Sequence, residues 1–273
     1  MLDNELYEDL SAKAQKIRKE IVNMIYTASS GHPGGALSLT DILTVLYFAE
    51  MNIDPSNPKK EDRDRFVLSK GHASAALYAT LAERGFFKVE ELTGFRKLGT
   101  ILQGHPDMKK VPGVDMTTGS LGQGLSAANG MAIAGKLDGK DYRVYCALGD
   151  GEIEEGQVWE AAMSSAKYKL DNLCVIVDNN NLQIDGSIDT VMSPYPIDKK
   201  FEDFGFFVIN IDGHDYKQIV DALAKAKTIK DKPTAIIAKT IKGKGVSFME
   251  NQAGWHGKAP NDEQFAQAMQ ELL

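Results

Sequence analysis

The sequence has 273 residues, a hydrophobic fraction of 43% and a charged fraction of 25%, which are ordinary values for a globular protein with a substantial core. The formal net charge of -7 argues against general nucleic-acid binding, which needs a basic surface. The first residues lack the basic end and apolar core of a signal peptide, and no apolar run approaches the roughly 18 residues of a membrane span. These features predict a cytoplasmic protein that contacts neither nucleic acid nor membrane.

The first half of the chain contains two predicted helices, a strand and a long loop. Apolar spacings of three and four predict an amphipathic helix over 3–28, which ends at the Gly- and Pro-rich segment 29–35. A second, largely apolar helix is predicted over 40–51, and a short strand over 65–69 leads into a helix that ends at Arg84. The segment 99–120 has no periodicity, and a loop of that length in a compact domain is usually functional.

The second half of the chain alternates between strands and helices. After a helix rich in small residues that starts near Gly124, strands are predicted over 143–148, 173–177, 206–211 and 234–238, and helices over 157–169, 198–204, after 215, and over 262–272. The alternation predicts an α/β protein with a doubly wound, mainly parallel sheet and helices on both faces. No linker or internal repeat divides the chain, so we expect residues 1–273 to form a single domain. The two cysteines, Cys146 and Cys174, fall in predicted strands and are interpreted as core residues in a reducing compartment.

A strand-helix-strand unit of about 30 residues contains the strongest candidate site. Gly149-Asp150-Gly151 ends its first strand, and Asn180 follows its second. Because the carboxyl ends of neighbouring parallel strands meet at one edge, we expect Asp150 and Asn180 to lie side by side, and their oxygen atoms suit Mg²⁺ or Ca²⁺. Gly151 and the following helix would favour a phosphate there. A bare GDG can also serve only to begin a helix, but the paired Asn180 favours the metal site.

All five histidines stand next to a glycine in a predicted loop, namely His32, His72, His105, His214 and His256. Imidazole can hydrogen-bond hydroxyl and phosphate groups and can move protons near neutral pH. A zinc site is disfavoured because the sequence contains no HxxxH, HExxH or CxxC pattern. His214 is the exception, because its place between a strand and a helix start predicts a local structural role.

Seven motifs occur in the order found in transketolases: GHPG at Gly31, KGHAS at Lys70, GHP at Gly104, TTGSLGQG at Thr117, GDG at Gly149, NNNLQIDG at Asn179 and DGHD at Asp212. Over nearly its whole length the chain resembles the transketolase family, as the N-terminal, diphosphate-binding subunit of a split enzyme. The resemblance implies a transferase, of the kind found in the pentose phosphate pathway. Such an enzyme uses thiamine diphosphate and Mg²⁺ or Ca²⁺ to move a two-carbon ketol unit from a ketose phosphate to an aldose phosphate.

The resemblance also implies roles for individual residues. The implied metal ligands are Asp150, Asn180 and the backbone carbonyl of Leu182. The implied cofactor-binding residues are His72, Gly119, Ser120, Leu121, Gly151, Glu155, Asn180, Ile184 and His256, and the implied catalytic residues facing the sugar are His32, His105 and His256. On spacing alone, Leu121 and Ile184 could instead be core residues. Ser120 departs from the proline common in long-chain transketolases, and Lys242 and Lys244 receive no role.

A partner chain is expected from what the sequence lacks. In the family, the glutamate that activates thiamine lies in a second α/β domain, for which this sequence has no segment. We therefore expect a separate C-terminal subunit that carries that glutamate, with two copies of each chain in the assembly. Three alternatives stay open: half of another thiamine-diphosphate enzyme, such as a 2-oxo acid dehydrogenase α subunit or a deoxyxylulose-phosphate synthase; a transketolase for apulose phosphate or a sulfosugar; and a non-catalytic metal- and diphosphate-binding partner.

Overall fold

Helices and strands alternate along most of the chain, which the computed structural model describes over residues 2–273. The α-helices are α1 (Asn4–Ala28), α2 (Pro33–Val45), α3 (Ser74–Arg84), α4 (Gln123–Leu137), α5 (Gly156–Lys167), α6 (Ile188–Val191), α7 (Ile197–Asp203), α8 (Tyr216–Thr228) and α9 (Asp262–Glu271). The strands are β1 (Arg65–Leu68), β2 (Val144–Gly149), β3 (Leu173–Asn179), β4 (Leu182–Gln183), β5 (Gly186–Ser187), β6 (Phe207–Asp212) and β7 (Thr234–Lys239). Over residues 2–273, none of the helices combines the length and the apolar character that a bilayer span requires.

Five strands form one parallel sheet in the order β1-β2-β3-β7-β6. The strands β2 and β3 are direct neighbours, and their register pairs Gly149 with Asp178. The short strands β4 and β5 form a separate antiparallel hairpin immediately after β3. Because all five strands of the main sheet run in one direction, their carboxyl ends share one edge, where ligands bind in open α/β sheets.

Apolar cores cover both faces of the sheet. Along β2, Tyr145 and Ala147 belong to the core that contains α1, α2, α3 and α8, whereas Val144, Cys146 and Leu148 belong to the core that contains α4, α5 and α7. This alternation follows from the two-residue period of a strand, and burial on both sides explains why the strands are apolar throughout. The predicted doubly wound, mainly parallel α/β sheet is confirmed.

The two cysteines lie on opposite faces of the sheet. Cys146 packs in the core with α4 and α5, and Cys174 packs in the core with α1 and α2. Both thiols are free and fully buried, and burial raises the pKa of Cys174 to about 12. They are small core residues, as the sequence predicted.

The second helix begins well before the predicted position. It was expected near Thr40, but α2 starts at Pro33. Proline suits the first turn of a helix because the N–H that it lacks would have no partner there. Gly34 and Gly35 follow it in the same turn, where they allow close packing rather than ending the helix. The helix continues into a π-helical turn over Leu46–Glu50.

Candidate functional site

A cavity of about 260 Å³ opens at the carboxyl edge of β2 and β3. Its wall consists of His32, Gly35, Lys70, His72, Gly119, Leu121, Gly149, Asp150, Gly151, Glu152, Asn180, Leu182, Gln183, Ile184, Lys242 and His256. The predicted pairing of Asp150 with Asn180 therefore occurs, because the two residues follow adjacent strands and line the same cavity. Most residues that the sequence singled out converge here.

Asp150 is buried at the base of this cavity, with 2% of its surface exposed. Its Oδ1 accepts a hydrogen bond from the Gly151 N–H at 2.9 Å, and its Oδ2 accepts one from the Asn181 N–H. Burial and the nearby carboxylate of Asp178 raise the pKa of Asp150 to about 7, although the two N–H donors oppose this shift. A carboxylate in this position is compensated best by a cation.

The other two predicted metal ligands border the same space. Asn180 is buried, and its Oδ1 accepts the Leu182 N–H at 3.2 Å. The Leu182 carbonyl oxygen lies 3.0 Å from the ammonium of Lys242, so it is directed toward a cation within the cavity. Tyr195 supports the loop, because its hydroxyl lies 2.9 Å from Asn179 Oδ1 and 2.7 Å from Asn181 Oδ1.

These residues fit a hard divalent cation. A carboxylate, an amide oxygen and a backbone carbonyl are the oxygen ligands that Mg²⁺ and Ca²⁺ prefer, and phosphate oxygens commonly complete such a shell. Across residues 2–273 there is no group of three or more His, Cys, Asp and Glu side chains arranged to hold a metal. A site with a single carboxylate, such as this one, requires a ligand that brings further oxygen atoms.

Two buried lysines line the cavity. Lys70 forms an ion pair with Asp178 and donates to the Gly35 carbonyl at 2.8 Å. Lys242 is 2% exposed, and burial, together with the charge of Lys70, lowers its pKa to about 8 although Asp150 opposes this shift. A lysine in a Gly-rich loop is usually exposed, so the sequence predicts no role for Lys242. The structure brings it into the site, where it could neutralise a phosphate.

Three histidine rings line one wall of the cavity. The ring centroids of His32 and His72 are 5.3 Å apart, those of His72 and His256 are 5.0 Å apart, and those of His32 and His256 are 5.5 Å apart. His32 precedes α2, His72 lies in a short 3-10 helix before α3, and His256 lies in the loop between β7 and α9. Residues distant in sequence thus form a single cluster, which the glycine next to each histidine permits.

These histidines are neutral at pH 7. Burial, followed by the charge of Arg96, lowers the pKa of His32 to about 4. Burial, followed by the charge of Lys242, lowers the pKa of His256 to about 3. Burial also holds the pKa of His72 well below its usual range. The cluster therefore offers neutral imidazoles, which can donate and accept hydrogen bonds without adding charge.

Neighbouring cations determine which nitrogen carries the proton in two of the rings. The guanidinium of Arg96 donates to Nδ1 of His32 at 3.2 Å, and the ammonium of Lys242 donates to Nδ1 of His256 at 3.0 Å. A nitrogen that accepts a hydrogen bond has no proton, so the proton of each neutral ring is assigned to Nε2. His32 and His256 are therefore hydrogen-bond donors through Nε2. Arg96, which no sequence motif marks, is the residue that sets this state for His32.

Three predicted site residues lie outside the cavity wall. His105 is exposed, and its ring lies against Gly119, which does line the cavity. Ser120 is exposed next to Gly119, and Glu155 is exposed at the residue that precedes α5. Leu121 and Ile184 line the mouth, but they are 36% and 66% exposed and are not core residues.

Glu152 connects the walls of the cavity, a role that the sequence did not reveal. It is buried, its Oε1 accepts the Gly122 N–H at 3.0 Å and the hydroxyl of Ser69, and its Oε2 accepts the Gly149 N–H at 3.0 Å. In the sequence it is one of several acidic residues near a helix start, but α5 begins only at Gly156. Its side chain therefore fixes loops from three parts of the chain and does not cap that helix.

His214 lies apart from the other predicted site residues, and its ring contacts residues that are distant in sequence. It is absent from the cavity wall. Its Nδ1 lies 2.7 Å from Asp41 Oδ2, and its Nε2 accepts the Ile241 N–H at 2.9 Å.

Comparison with known proteins identifies the family. The family model described as the thiamine diphosphate-binding domain of transketolase matches residues 10–272. The chain belongs to the transketolase family. It is 44% identical to an apulose-4-phosphate transketolase subunit of Phocaeicola vulgatus, with 97% of this chain and 94% of that protein covered. It is 46% identical to a 6-deoxy-6-sulfo-D-fructose transketolase subunit of Clostridium sp., with 97% and 96% covered.

A solved transketolase from Campylobacter jejuni superimposes with a TM-score of 0.92 at 38% sequence identity. The chain covers only 43% of that protein, although 97% of the chain itself is matched. The match to human transketolase, at 43% identity, likewise covers 43% of the human protein. The chain therefore corresponds to the thiamine diphosphate-binding part of these enzymes. The expectation of an N-terminal transketolase subunit, and hence of a transferase, is confirmed.

Proposed function

We propose that this chain binds the diphosphate of thiamine diphosphate in a transketolase that moves a two-carbon ketol unit from a ketose phosphate to an aldose phosphate. One observation carries the proposal: hard oxygen ligands, two buried lysines and a cluster of neutral histidines converge on a single cavity. The oxygen atoms and the lysines suit a metal-bound diphosphate. The neutral imidazoles suit the hydroxyl groups of a sugar.

The diphosphate would lie at the base of the cavity. Asp150, Asn180 and the Leu182 carbonyl would hold Mg²⁺ or Ca²⁺, and the backbone of Gly151 would approach the phosphate oxygens. The ammonium of Lys242 would offset negative charge that remains on the diphosphate. When bound, thiamine diphosphate supplies the carbon nucleophile that cleaves the ketose.

The histidines would act on the sugar and on the cofactor from one side. Through Nε2, His32 and His256 would donate hydrogen bonds to sugar oxygen atoms near the cleaved bond. His72 would contact the diphosphate, and His105 would reach the sugar from beside Gly119. Gly119, Ser120 and Leu121 would contact the aminopyrimidine, Ile184 would press on the thiazolium, and Glu155 would lie between two active sites.

We further propose that a separate subunit covers this cavity and supplies the activating glutamate, in an assembly of two copies of each chain. The exposed Leu121 and Ile184 support this proposal, because apolar side chains at the mouth of a site gain stability when another surface covers them. The cavity of about 260 Å³ also lies below the roughly 300–1,000 Å³ typical of small-molecule sites. Two of the similar proteins are themselves named as transketolase subunits.

We also propose that residues 1–273 form one domain and that the protein acts in the cytoplasm. The single parallel sheet with a core on each face supports the first statement. The two buried free thiols are consistent with a reducing compartment, which supports the second.

Substrate specificity is the first test of the proposed reaction. The chain with its partner should convert xylulose 5-phosphate or fructose 6-phosphate in the presence of an aldose phosphate acceptor, and should not decarboxylate pyruvate. Because similar proteins are named for apulose 4-phosphate and for 6-deoxy-6-sulfo-D-fructose, both compounds belong in the same assay. Turnover of pyruvate alone would contradict the proposal and favour a decarboxylating enzyme.

Dependence on the partner is the second test. The chain alone should bind thiamine diphosphate but transfer no ketol units, and adding the partner near a one-to-one ratio should restore transfer. Light scattering of the complex would give its composition. Complete ketol transfer by this chain, with a second protein excluded by mass spectrometry, would refute the split arrangement.

The histidine roles are tested in the assembled enzyme. His32→Ala and His105→Ala should each lower kcat/KM by about 10- to 1,000-fold, because each removes a group that acts on the sugar. The affinity for magnesium thiamine diphosphate should hardly change. Met108→Ala, an exposed change in the loop of His105, is the matched control. If cofactor affinity fell as far as kcat/KM, these residues would instead be cofactor ligands.

A further inference from the structure

A buried charge cluster is centred on Asp41 of α2, which does not line the cavity. The carboxylate is 3% exposed, and its Oδ2 accepts hydrogen bonds from the Arg18 guanidinium at 2.6 Å and from His214 Nδ1 at 2.7 Å. Its Oδ1 accepts the Tyr216 hydroxyl at 2.9 Å. Three donors on one buried carboxylate hold it in a fixed position. Asp41 therefore holds the ring of His214 in a fixed orientation.

His214 links Asp41 to the backbone of Ile241. Nε2 accepts the Ile241 N–H at 2.9 Å, so the proton of the ring is assigned to Nδ1, which donates to Asp41. Ile241 immediately precedes Lys242. The ammonium of Lys242 lies 3.0 Å from both the Leu182 carbonyl and His256 Nδ1. An unbroken series of hydrogen bonds and one peptide unit thus connects Asp41 with the cavity.

We propose that Asp41 and His214 are positioning residues, which fix the backbone at Ile241 and thereby place the Lys242 ammonium and the His256 ring in the cavity. This inference rests on the proposed function only for its effect on thiamine diphosphate. Neither residue lines the cavity, so both act through the segment that follows β7. The arrangement resembles the outer partners of metal-bound histidines, which set ring orientation without touching the ligand.

The path of the lysine side chain explains why a small backbone shift would matter. An added Cβ on Gly34 would meet Lys242 Cγ at 2.8 Å, so the lysine stem runs directly over the first turn of α2. Two backbone hydrogen bonds hold the chain at and after Lys242. The Gly243 N–H donates to the Gly34 carbonyl at 3.0 Å, and the Asn251 N–H donates to the Lys242 carbonyl at 2.9 Å. The stem has little room to adjust. Loss of the His214 bond would release only the Ile241 side, which changes position without unfolding the loop.

Two substitutions of His214 separate its two hydrogen bonds. In His214→Gln, the longer side chain presents an oxygen near the place of Nε2, which can still accept the Ile241 N–H. In His214→Asn, the shorter amide can still donate to Asp41 but cannot reach Ile241. Each variant keeps one contact of the ring, so a comparable decrease in melting temperature is expected for both. If His214 had only a structural role, any difference between the two variants in Lys242 labelling or in cofactor affinity would follow a difference in their melting temperatures.

The first measurement is the labelling rate of Lys242 by trinitrobenzenesulfonate, followed by mass spectrometry of the full chain after digestion. We expect labelling at least about tenfold faster in His214→Asn than in the wild type, because the loss of one buried hydrogen bond corresponds to about that factor. His214→Gln should label like the wild type. Equal labelling of the two variants, or no change in His214→Asn, would overturn the proposal.

The second measurement is the affinity for magnesium thiamine diphosphate by calorimetry. His214→Asn should bind about tenfold more weakly than His214→Gln, which should stay within about threefold of the wild type. Equal affinities in the presence of different labelling rates would refute the link from Lys242 to the diphosphate. If the wild type showed no binding at all, the proposed function would fail, while the labelling rates would still decide whether His214 positions Lys242.

Discussion

The histidines around the cavity are neutral because burial and neighbouring cations lower their pKa values. Arg96 and Lys242 occupy the Nδ1 atoms of His32 and His256, and both rings have pKa values of about 4 or below. Such rings cannot bind a sugar phosphate through a charge of their own at pH 7. In the proposed reaction their contribution would come from oriented N–H groups, and any proton that they accepted would have to be passed on quickly.

At the residue scale, Asp150→Asn tests the metal site. Magnesium-dependent binding of thiamine diphosphate should fall by at least about 100-fold, because the change removes the only carboxylate among the predicted ligands. Asn is preferable to Ala, because Asp150 also accepts the N–H groups of Gly151 and Asn181. Calorimetry over a range of Mg²⁺ concentrations measures the effect, with Asp138→Asn at an exposed position as the control. Undiminished binding that EDTA does not affect would contradict the assignment.

The carboxylate of Asp41 predicts a pH dependence of stability. Burial opposes its ionisation, but the hydrogen bond from His214 and the charge of Arg18 outweigh burial and lower its pKa to about 2. A native pKa below the unfolded value stabilises the protein above about pH 4, and this contribution is lost as the pH falls toward 2. It amounts to roughly 2 kcal/mol.

The measurement compares urea unfolding of the wild type and Asp41→Asn at pH 7, 4 and 3. The variant should be less stable at pH 7, and the difference in unfolding free energy should shrink as the pH falls below 4. The exposed Asp138→Asn should show no such trend. A constant difference across this range would mean that the charge of Asp41 does not stabilise the fold.

At the element scale, two glycines of α4 should respond in opposite ways to alanine. An added Cβ on Gly124 would lie 2.7 Å from Ser69 Cα, so the first turn of α4 packs directly on the end of β1. Gly124→Ala should cost about 1–3 kcal/mol of unfolding free energy. Gly130 has nothing within 4 Å of its Cβ position, and Gly130→Ala should add about 0.5–1 kcal/mol through helix propensity. Chemical denaturation measures both, and equal effects would show that the contact with Ser69 yields easily.

The main elements were predictable because apolar period and glycine placement agree along most of the chain. The strands of the main sheet and the helices between them occur close to where the periodicity predicted them. The start of α2 was missed because Pro33 and Gly34 interrupt helices in most contexts, and only the packing of Lys242 over Gly34 shows why they are tolerated. The hairpin of β4 and β5 has strands of two residues, which are too short to show any period.

The site was predictable where residues follow strand ends and unpredictable where burial depends on distant packing. The positions of Asp150 and Asn180 follow from the register of β2 and β3. The role of Lys242 depends on α2, on His214 and on a backbone carbonyl of the β4 strand, which no local pattern connects. Glu152 was obscured in a similar way, because further acidic residues follow it closely and the group suggested an ordinary helix start.

At the scale of the whole molecule, the cavity lies between the strand ends of the sheet and the loops at its mouth, which the proposed partner would cover. The rigid wall comes from the strand ends, while Leu121 and Ile184 extend from loops at the mouth and are exposed. Loops of this kind gain order when a partner covers them. Without the proposed partner, we expect the chain to keep the proposed metal site and to be less ordered where the thiamine ring would lie.

Cys146 and Cys174 lie on opposite faces of the sheet, so their chemical modification can measure the local unfolding of each face. Each thiol is fully buried, so a thiol reagent can modify it only when the helices on its side separate from the sheet. In mild denaturant, the modification of each cysteine can be followed by mass spectrometry of the peptides, which gives a separate rate for each face of the sheet. We expect Cys146 to react first, because the core around it is the smaller of the two. Identical rates would mean that both helical layers leave the sheet in one cooperative event.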